Sequence, residues 1–139
     1  MIVVDTNLMA YRWLPGPRNA DCDALVRLDT EWAAPLLWRS EFRNVLAGYM
    51  RAGKLSGTDA QLAMRHAAAS LLGGEYAVAD DVVLKLVGQS KCSAYDCEFV
   101  ALAEALDTLL VTEDKALLAA FPKRCRSLTD AVQSGLKRP

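Results

Sequence analysis

Ile2-Val3-Val4-Asp5-Thr6-Asn7 opens the chain with three apolar β-branched residues followed directly by a carboxylate. Such a run is typical of a strand that is buried on both faces, as in a parallel sheet. Asp5 would then stand at the carboxyl end of that strand, which is the edge of an open parallel sheet where ligand sites form. We therefore expect the other elements to be arranged around this strand, and a functional site to begin at Asp5.

The composition predicts a single domain that spans residues 1–139. A chain of this length can bury roughly two thirds of the surface that its unfolded form exposes. Its 53% hydrophobic and 24% charged residues are typical of a globular protein in water. No apolar run approaches the roughly 18 residues of a membrane span, and Asp5 interrupts the place where the apolar part of a secretory signal would lie. We expect a cytoplasmic protein.

The chain has four cysteines and one histidine, His66. The cysteines show no Cys-x-x-Cys spacing, and His66 is distant from all of them in sequence. This pattern argues against structural zinc and favours reduced thiols.

The net charge of −1 conceals an uneven distribution of charge. When the four candidate site acids described below are set aside, 16 basic residues face 13 acidic ones. Arg39, Arg43, Arg51 and Lys54 flank one predicted helix, and residues 123–138 are rich in Lys and Arg. Solvated surface is the ordinary explanation for any one of these side chains, but such clusters would also suit contact with nucleic acid.

Apolar periodicity divides the chain into helices separated by short apolar strands. Strands are expected at residues 2–4, 32–35, 76–78, 109–112 and 125–128, and helices at 6–14, 19–29, 37–52 and 58–72. Four further caps or helix starts are predicted at Asp80, Ser93, Asp114 and Thr129, and a capping box at Thr58. Alternating strands and helices imply right-handed crossovers. We predict a three-layer α/β/α sandwich with a mostly parallel central sheet and an α-hairpin at residues 38–72.

Four acids in this arrangement could converge on one place. Asp5 and Asp114, with its neighbour Glu113, follow predicted strands, so adjacent placement of those strands would bring the acids within a few ångströms of one another. Asp96 lies in the first turn of a predicted helix, where the helix dipole favours an ionised carboxylate. Glu41 lies on the flank of the apolar stripe of its helix rather than on the solvent face.

Carboxylates gathered without Lys or Arg repel each other, and shared protons or a hard cation relieve that repulsion. An all-oxygen set without His or Cys favours Mg²⁺, or Mn²⁺ as a substitute, over zinc. Such ions hold water and phosphate oxygens together and neutralise charge during in-line attack on a phosphodiester. The four acids are thus candidates both for metal binding and for catalysis.

Each acid also has a structural explanation. Asp114 could serve only as a helix cap, Asp96 could belong to a capping box, and Glu41 could pair with Arg39 or Arg43. For each of these three acids taken singly, the structural explanation is favoured. Asp5 is different, because an acid that closes an apolar strand and caps nothing obvious has less structural reason to be there.

Four motifs, in this order along the chain, resemble those of the PIN-domain family. They are Val3-Val4-Asp5-Thr6-Asn7, Ser40-Glu41 with Asn44-Val45-Leu46, Tyr95-Asp96 with Ala101-Leu102-Ala103, and Leu110-Val111-Thr112-x-Asp114. The motifs cover essentially the whole chain, and its size and arrangement are similar to those of the VapC toxins of toxin–antitoxin pairs.

This resemblance implies a Mg²⁺-dependent endoribonuclease that cleaves RNA, forms a homodimer and binds a small antitoxin that wraps the toxin and blocks its acidic site. The α-hairpin would provide the antitoxin groove. The implied metal-binding and catalytic residues are Asp5, Glu41, Asp96 and Asp114, supported by Thr6, Asn7 and Thr112. Glu113 departs from the family pattern, in which this position is often not acidic, and leaves open whether Asp114 alone serves as the fourth acid.

Other classes of protein fit the sequence less well. A haloacid-dehalogenase-like phosphatase needs a second Asp two residues after the first, where this chain has Asn7. A dinucleotide-binding module would carry Gly-x-Gly-x-x-Gly after the first strand, and none is present. A non-catalytic or DNA-directed PIN-like protein that a small partner regulates remains the alternative. A non-catalytic protein predicts gaps among the four acids, and none is missing.

Overall fold

The first strand lies at the centre of a parallel sheet. The computed structural model describes residues 1–137, in which the strands are β1 (Ile2–Val4), β2 (Trp32–Pro35), β3 (Glu75–Tyr76), β4 (Leu110–Val111) and β5 (Cys125–Arg126). Their spatial order is β3-β2-β1-β4-β5, and each neighbouring pair is parallel. β1 therefore has β2 on one side and β4 on the other, as the apolar run at residues 2–4 predicts.

Helices cover both faces of the sheet. They are α1 (Thr6–Trp13), α2 (Asn19–Leu28), α3 (Trp38–Arg51), α4 (Gly57–Ser70), α5 (Asp80–Gly88), α6 (Ala94–Ala105), α7 (Lys115–Ala120) and α8 (Leu128–Ser134). Helices α1 to α4 and α8 pack on one face, and α5 to α7 pack on the other. This is the predicted three-layer α/β/α sandwich.

The two faces of β1 belong to two different cores. Ile2 and Val4 pack with Trp32 and the first group of helices, whereas Val3 packs with Leu110 and the second group. All three residues of β1 are at most 2% exposed. Because full burial of such a side chain contributes about 1.5–3 kcal/mol, the short strand is held firmly from both sides and fixes the position of Asp5.

Helix α3 and helix α4 form the predicted α-hairpin. Helix α3 contributes Trp38 and Phe42 to the core, and α4 contributes the smaller Ala63 and Ala67. Large side chains on one helix opposite small ones on the other allow the two to pack closely. In the described residues, 1–137, none of the helices combines the length and the apolar character that crossing a membrane requires.

Several predicted helix starts are displaced by one or two residues. Ser56, rather than Thr58, caps α4 by accepting a hydrogen bond from the amide of Asp59, and Ser127, rather than Thr129, caps α8. Asp80 lies inside α5, and its N-cap is Ala79, which makes no side-chain cap. In the two serine cases a second hydroxyl residue lies two positions further on, and the hydroxyl nearer the preceding turn occupies the extended cap conformation.

Candidate metal centre

The four predicted acids line one small cavity at the carboxyl edge of the sheet. The cavity has a volume of about 90 Å³. Its lining residues are Asp5, Thr6, Asn7, Glu41, Asp96, Phe99, Asp114 and Leu117. Hereafter we call it the acid cavity. The lining that the structure describes includes no Lys, Arg or His, so four carboxylates share the cavity without a compensating cation from the chain.

Asp5 is held at the centre of this arrangement by the element that follows it. It is the N-cap of α1, and its Oδ1 accepts a hydrogen bond of 3.2 Å from the amide of Leu8. The interpretation that Asp5 caps nothing is therefore wrong; the signal was its position directly before a predicted helix. Asp5 is 7% exposed, and this burial raises its pKa to about 6 despite the hydrogen bonds that favour the charged form.

Thr112 connects the first and the last acid. Its side chain is fully buried, and its hydroxyl donates a hydrogen bond to Oδ2 of Asp5. The same hydroxyl oxygen accepts a hydrogen bond of 3.0 Å from the amide of Asp114. Thr112 therefore orients the carboxylate of Asp5 and holds the backbone of Asp114 beside it.

Glu41 enters the cavity from α3 and is oriented by Thr6. Its Oε1 accepts a hydrogen bond of 2.8 Å from the Thr6 hydroxyl. Its pKa is raised mainly by burial and further by the negative charges of Asp96 and Glu98. The predicted alternative, in which Glu41 pairs with Arg39 or Arg43, is wrong: Glu41 bonds to Thr6 instead.

Both arginines beside Glu41 have other partners. Arg39 forms a bidentate salt bridge with Glu75, in which Nε donates to Oε1 at 2.5 Å and Nη2 donates to Oε2 at 2.9 Å. These hydrogen bonds hold the pKa of the Glu75 carboxyl below its usual value. Arg43 donates to the hydroxyl of Ser40. Glu41 is thus left facing other acids.

Asp96 and Asp114 combine a capping position with a place in the cavity wall. The amide of Asp96 donates to the hydroxyl of Ser93, the N-cap of α6, while Asp114 caps α7 by accepting from the amide of Leu117 at 2.8 Å. Burial raises the pKa of Asp96, and the charge of Asp114 raises it further. The structural and functional explanations of these acids are therefore compatible, and the two carboxylates are close enough to interact.

Glu113 points to a different place. Its Oε1 accepts a hydrogen bond of 2.8 Å from the amide of Leu128 at the start of α8, and it lies 3.5 Å from Nη2 of Arg18. Glu113 is not among the residues that line the acid cavity. Glu113 therefore connects the segment after β4 to the start of α8.

Two apolar residues of the cavity wall were predicted only as core. Phe99 and Leu117 lie three positions after Asp96 and Asp114 respectively, so each is on the same helix face as its acid. That spacing is the signal that could have identified them. They keep one side of the acid cavity dry, which strengthens the interactions among the carboxylates.

The side chains are not arranged in a closed coordination shell. Within residues 1–137, no group of three or more His, Cys, Asp or Glu side chains is placed where it could hold a metal ion as it stands. The donor chemistry nevertheless fits Mg²⁺ or Mn²⁺, because four carboxylates line the cavity with a threonine hydroxyl and an asparagine amide, and its lining includes no His or Cys. Thr6 donates a hydrogen bond to one oxygen of Glu41, and the amide of Leu117 donates one to an oxygen of Asp114.

Comparisons with solved structures find the same fold in three proteins. The first is PAE2754 from Pyrobaculum aerophilum, with a TM-score of 0.74, 20% identity, and coverage of 94% of this chain and 85% of that one. The second is FitAcB from Neisseria gonorrhoeae, with a TM-score of 0.71, 19% identity, and coverage of 93% and 99%. The third is a toxin–antitoxin complex from Klebsiella pneumoniae, with a TM-score of 0.66, 15% identity, and coverage of 92% and 98%. The chain matches no protein-family model and no curated protein sequence.

Proposed function

We propose that this chain, which has the PIN-like fold of these structures, is a Mg²⁺-dependent endoribonuclease that acts as the toxin of a toxin–antitoxin pair. The observation that carries the proposal is the acid cavity, in which Asp5, Glu41, Asp96 and Asp114 face each other without a cation from the chain. A protein that used these acids only as helix caps would have no reason to gather them around one space. We place its activity in the cytoplasm.

The four carboxylates would hold the metal ion. Mg²⁺, when bound, supplies a positive charge that lowers the pKa of a water nucleophile and neutralises the phosphate. The chain supplies the positioning. Thr112 fixes the carboxylate of Asp5, and Thr6 fixes that of Glu41.

The remaining lining residues limit access. Asn7 is exposed at the mouth of the cavity, where its amide can bind a phosphate or ribose oxygen of the RNA. Phe99 and Leu117 close the inner wall. A substrate would therefore approach from the side of Asn7.

The protein partner that we propose is a small antitoxin, and the toxin itself would be a homodimer. The antitoxin proposal is supported by the toxin–antitoxin complex from Klebsiella pneumoniae, which shares this fold. The α-hairpin carries two half-exposed apolar side chains, Met50 and Leu62, at 45% and 44% exposure. These side chains suit the apolar face of a partner segment. The homodimer rests on the family resemblance.

Cleavage of end-labelled RNA tests the proposed activity. Wild type should cut RNA with Mg²⁺ or Mn²⁺ and lose that activity in EDTA. Asp96→Asn should reduce the rate by at least about a hundredfold while remaining folded, because it removes a ligand charge without removing the backbone cap. His66→Ala, at an exposed position outside the acid cavity, is the control and should cut normally.

Parallel reactions with single-stranded DNA separate the alternatives. Full cleavage of RNA in EDTA would contradict the metal-dependent mechanism. Metal-dependent cutting of DNA but not RNA would favour the DNA-directed protein, and tight RNA binding without cleavage would favour the non-catalytic one.

Co-expression tests the proposed antitoxin partner. A short reading frame next to the gene for this chain, when co-expressed with it, should relieve growth arrest and give a larger complex on a sizing column. A monomer that neither arrests growth nor binds that product would contradict the toxin proposal.

A further inference from the structure

A second and larger cavity adjoins the acid cavity at the same edge of the sheet. It has a volume of about 570 Å³, within the range of small-molecule sites. Its lining includes Leu36, Tyr76, Asp80, Leu84, Tyr95 and Glu98. We refer to it as the Tyr95 groove. It lies where β2 and β3 end and where α5 and α6 begin.

The groove and the proposed active site are neighbours at the start of α6. Tyr95 and Asp96 are consecutive residues in the first turn of α6, and Glu98 lies one turn beyond Tyr95 on the same helix face. Tyr95 and Glu98 line the groove, whereas Asp96 lines the acid cavity. The charge of Glu98 is also close enough to act on Glu41 across the boundary. An RNA chain with a phosphodiester in the acid cavity could therefore reach the groove with a neighbouring nucleotide.

The groove presents apolar surface that the fold does not use. Leu84 is 65% exposed, Tyr95 is 64% exposed and Leu36 is 53% exposed. These three large apolar side chains surround one concavity, and exposed apolar residues in such a concavity can form a ligand-binding groove. Aromatic side chains in such a position are the platforms on which single-stranded bases stack.

The polar groups of the groove select against phosphate and for a hydrogen-bond donor. Asp80 and Glu98 are both acidic, and the described lining includes no Lys or Arg to attract an anion. Carboxylates only accept hydrogen bonds when ionised. Of the four RNA bases, guanine alone offers two adjacent N–H donors, at N1 and N2, to one carboxylate. Uracil presents two carbonyl oxygens on its Watson–Crick edge, and these would meet the carboxylate unfavourably.

We propose that the Tyr95 groove binds the nucleobase next to the scissile phosphodiester, with the base stacked on Tyr95 and a guanine preferred through its N–H groups at Glu98. The inference rests on the proposed function and names a specificity site for it. Tyr95 would supply stacking for any base, and Glu98 would discriminate among bases. The two residues therefore predict different phenotypes.

Cleavage of a random RNA pool, followed by sequencing of the new ends, tests this assignment. Wild type should show enrichment of guanine at one fixed position beside the cut. Glu98→Gln should lose most of that preference, because glutamine both donates and accepts hydrogen bonds. Tyr95→Ala should raise KM by about tenfold for all sequences, and Tyr95→Phe should restore it, since stacking needs the ring alone. Leu72→Ala, at a 90% exposed apolar residue outside the groove, is the matched control.

Two results would overturn the assignment while leaving the proposed function intact. One is RNA cleavage with no base preference, or with a preference that Glu98→Gln leaves unchanged. The other is conversion of a wild-type dimer, or of an antitoxin complex, into free monomer by Tyr95→Ala, which would show that the groove is a protein interface.

If the wild type cuts no RNA, the proposed function fails and binding of free guanosine and uridine by calorimetry decides the groove. Tighter binding of guanosine than of uridine, abolished in Glu98→Gln, would still support a base site. Equal or absent binding of both nucleosides would overturn it.

Discussion

The hydroxyl of Thr112 donates a hydrogen bond to Asp5 across 107 positions of sequence and accepts one from the amide of Asp114. One fully buried hydroxyl thus joins the acid that follows β1 to the acid that follows β4. Because β1 and β4 are neighbours in the sheet, this link holds the carboxylate of Asp5 against the backbone of Asp114.

Thr112→Val should therefore destabilise the protein and weaken metal binding. Valine has the shape of threonine but leaves an oxygen of Asp5 and the amide of Asp114 without their partner, which costs about 1–3 kcal/mol. Urea denaturation in EDTA measures the stability, and calorimetry with Mn²⁺ measures the affinity. Thr112→Ser keeps the hydroxyl and should retain most of both. Equal denaturation midpoints for valine and wild type would show that the hydrogen bonds do not matter.

Asp5→Asn should stabilise the metal-free protein at neutral pH. Burial raises the pKa of Asp5 from 3.8 to about 6, so the stability of the fold decreases as pH rises through that interval and the acid ionises. Asparagine caps helices as well as aspartate does, and its gain should be about 1–3 kcal/mol at pH 7.5. The gain should vanish at pH 4.

Thermal melts in EDTA at pH 4 and 7.5 measure this difference. Asp23→Asn, at an exposed acid on α2, is the control and should not show the same pH dependence. An Asp5→Asn protein that melts below wild type at pH 7.5, yet is stabilised by Mg²⁺ as strongly as wild type, would assign Asp5 a purely structural role.

Metal binding should weaken below pH 6. A carboxyl must be deprotonated to bind a cation, and protons compete for Asp5 below its pKa of about 6. The Kd for Mn²⁺ should rise by up to about tenfold for each pH unit below 6 and stay nearly constant above 7. Titrations monitored by electron paramagnetic resonance at several pH values give this curve. A Kd that does not change between pH 5 and 7 would place the ion away from Asp5.

The neighbours Glu113 and Asp114 should show opposite phenotypes. Glu113→Ala removes the acceptor for the Leu128 amide and should cost about 1 kcal/mol of stability without changing Mn²⁺ affinity. Asp114→Asn keeps a good helix cap and should preserve stability while reducing Mn²⁺ affinity. Denaturation and calorimetry on the same two variants separate these effects. The reverse pattern would make Glu113 the fourth acid.

The positions of the five strands could be predicted from local sequence, and the exact bounds of two of them. The apolar runs at residues 2–4 and 32–35 are strands with the predicted bounds. The others are shorter than predicted; for example, β4 is Leu110–Val111 rather than residues 109–112, and β3 is Glu75–Tyr76 rather than residues 76–78. Hydrophobicity indicates what is buried, but the ladder ends where neighbouring strands no longer pair.

The site could be predicted only in part from the chain itself. Local position singled out Asp5 alone, and the other three acids became candidates through their possible convergence and the family resemblance. The sequence did not determine that β1 and β4 are adjacent. The contacts of Glu113 with α8 also depend on elements distant in sequence. Local rules fix caps and strand ends, whereas the sheet order that brings the acids together arises from long-range packing.

The position of β1 in the sheet has a consequence during synthesis on the ribosome. Leu110, the partner of Val3, is added to the chain more than a hundred residues after it. At about 5–20 residues per second, that delay is on the order of ten seconds. A nascent chain that stops short of Asp114 lacks one wall of the acid cavity, however well its first half is folded. The proposed metal centre therefore cannot form until synthesis has passed Asp114.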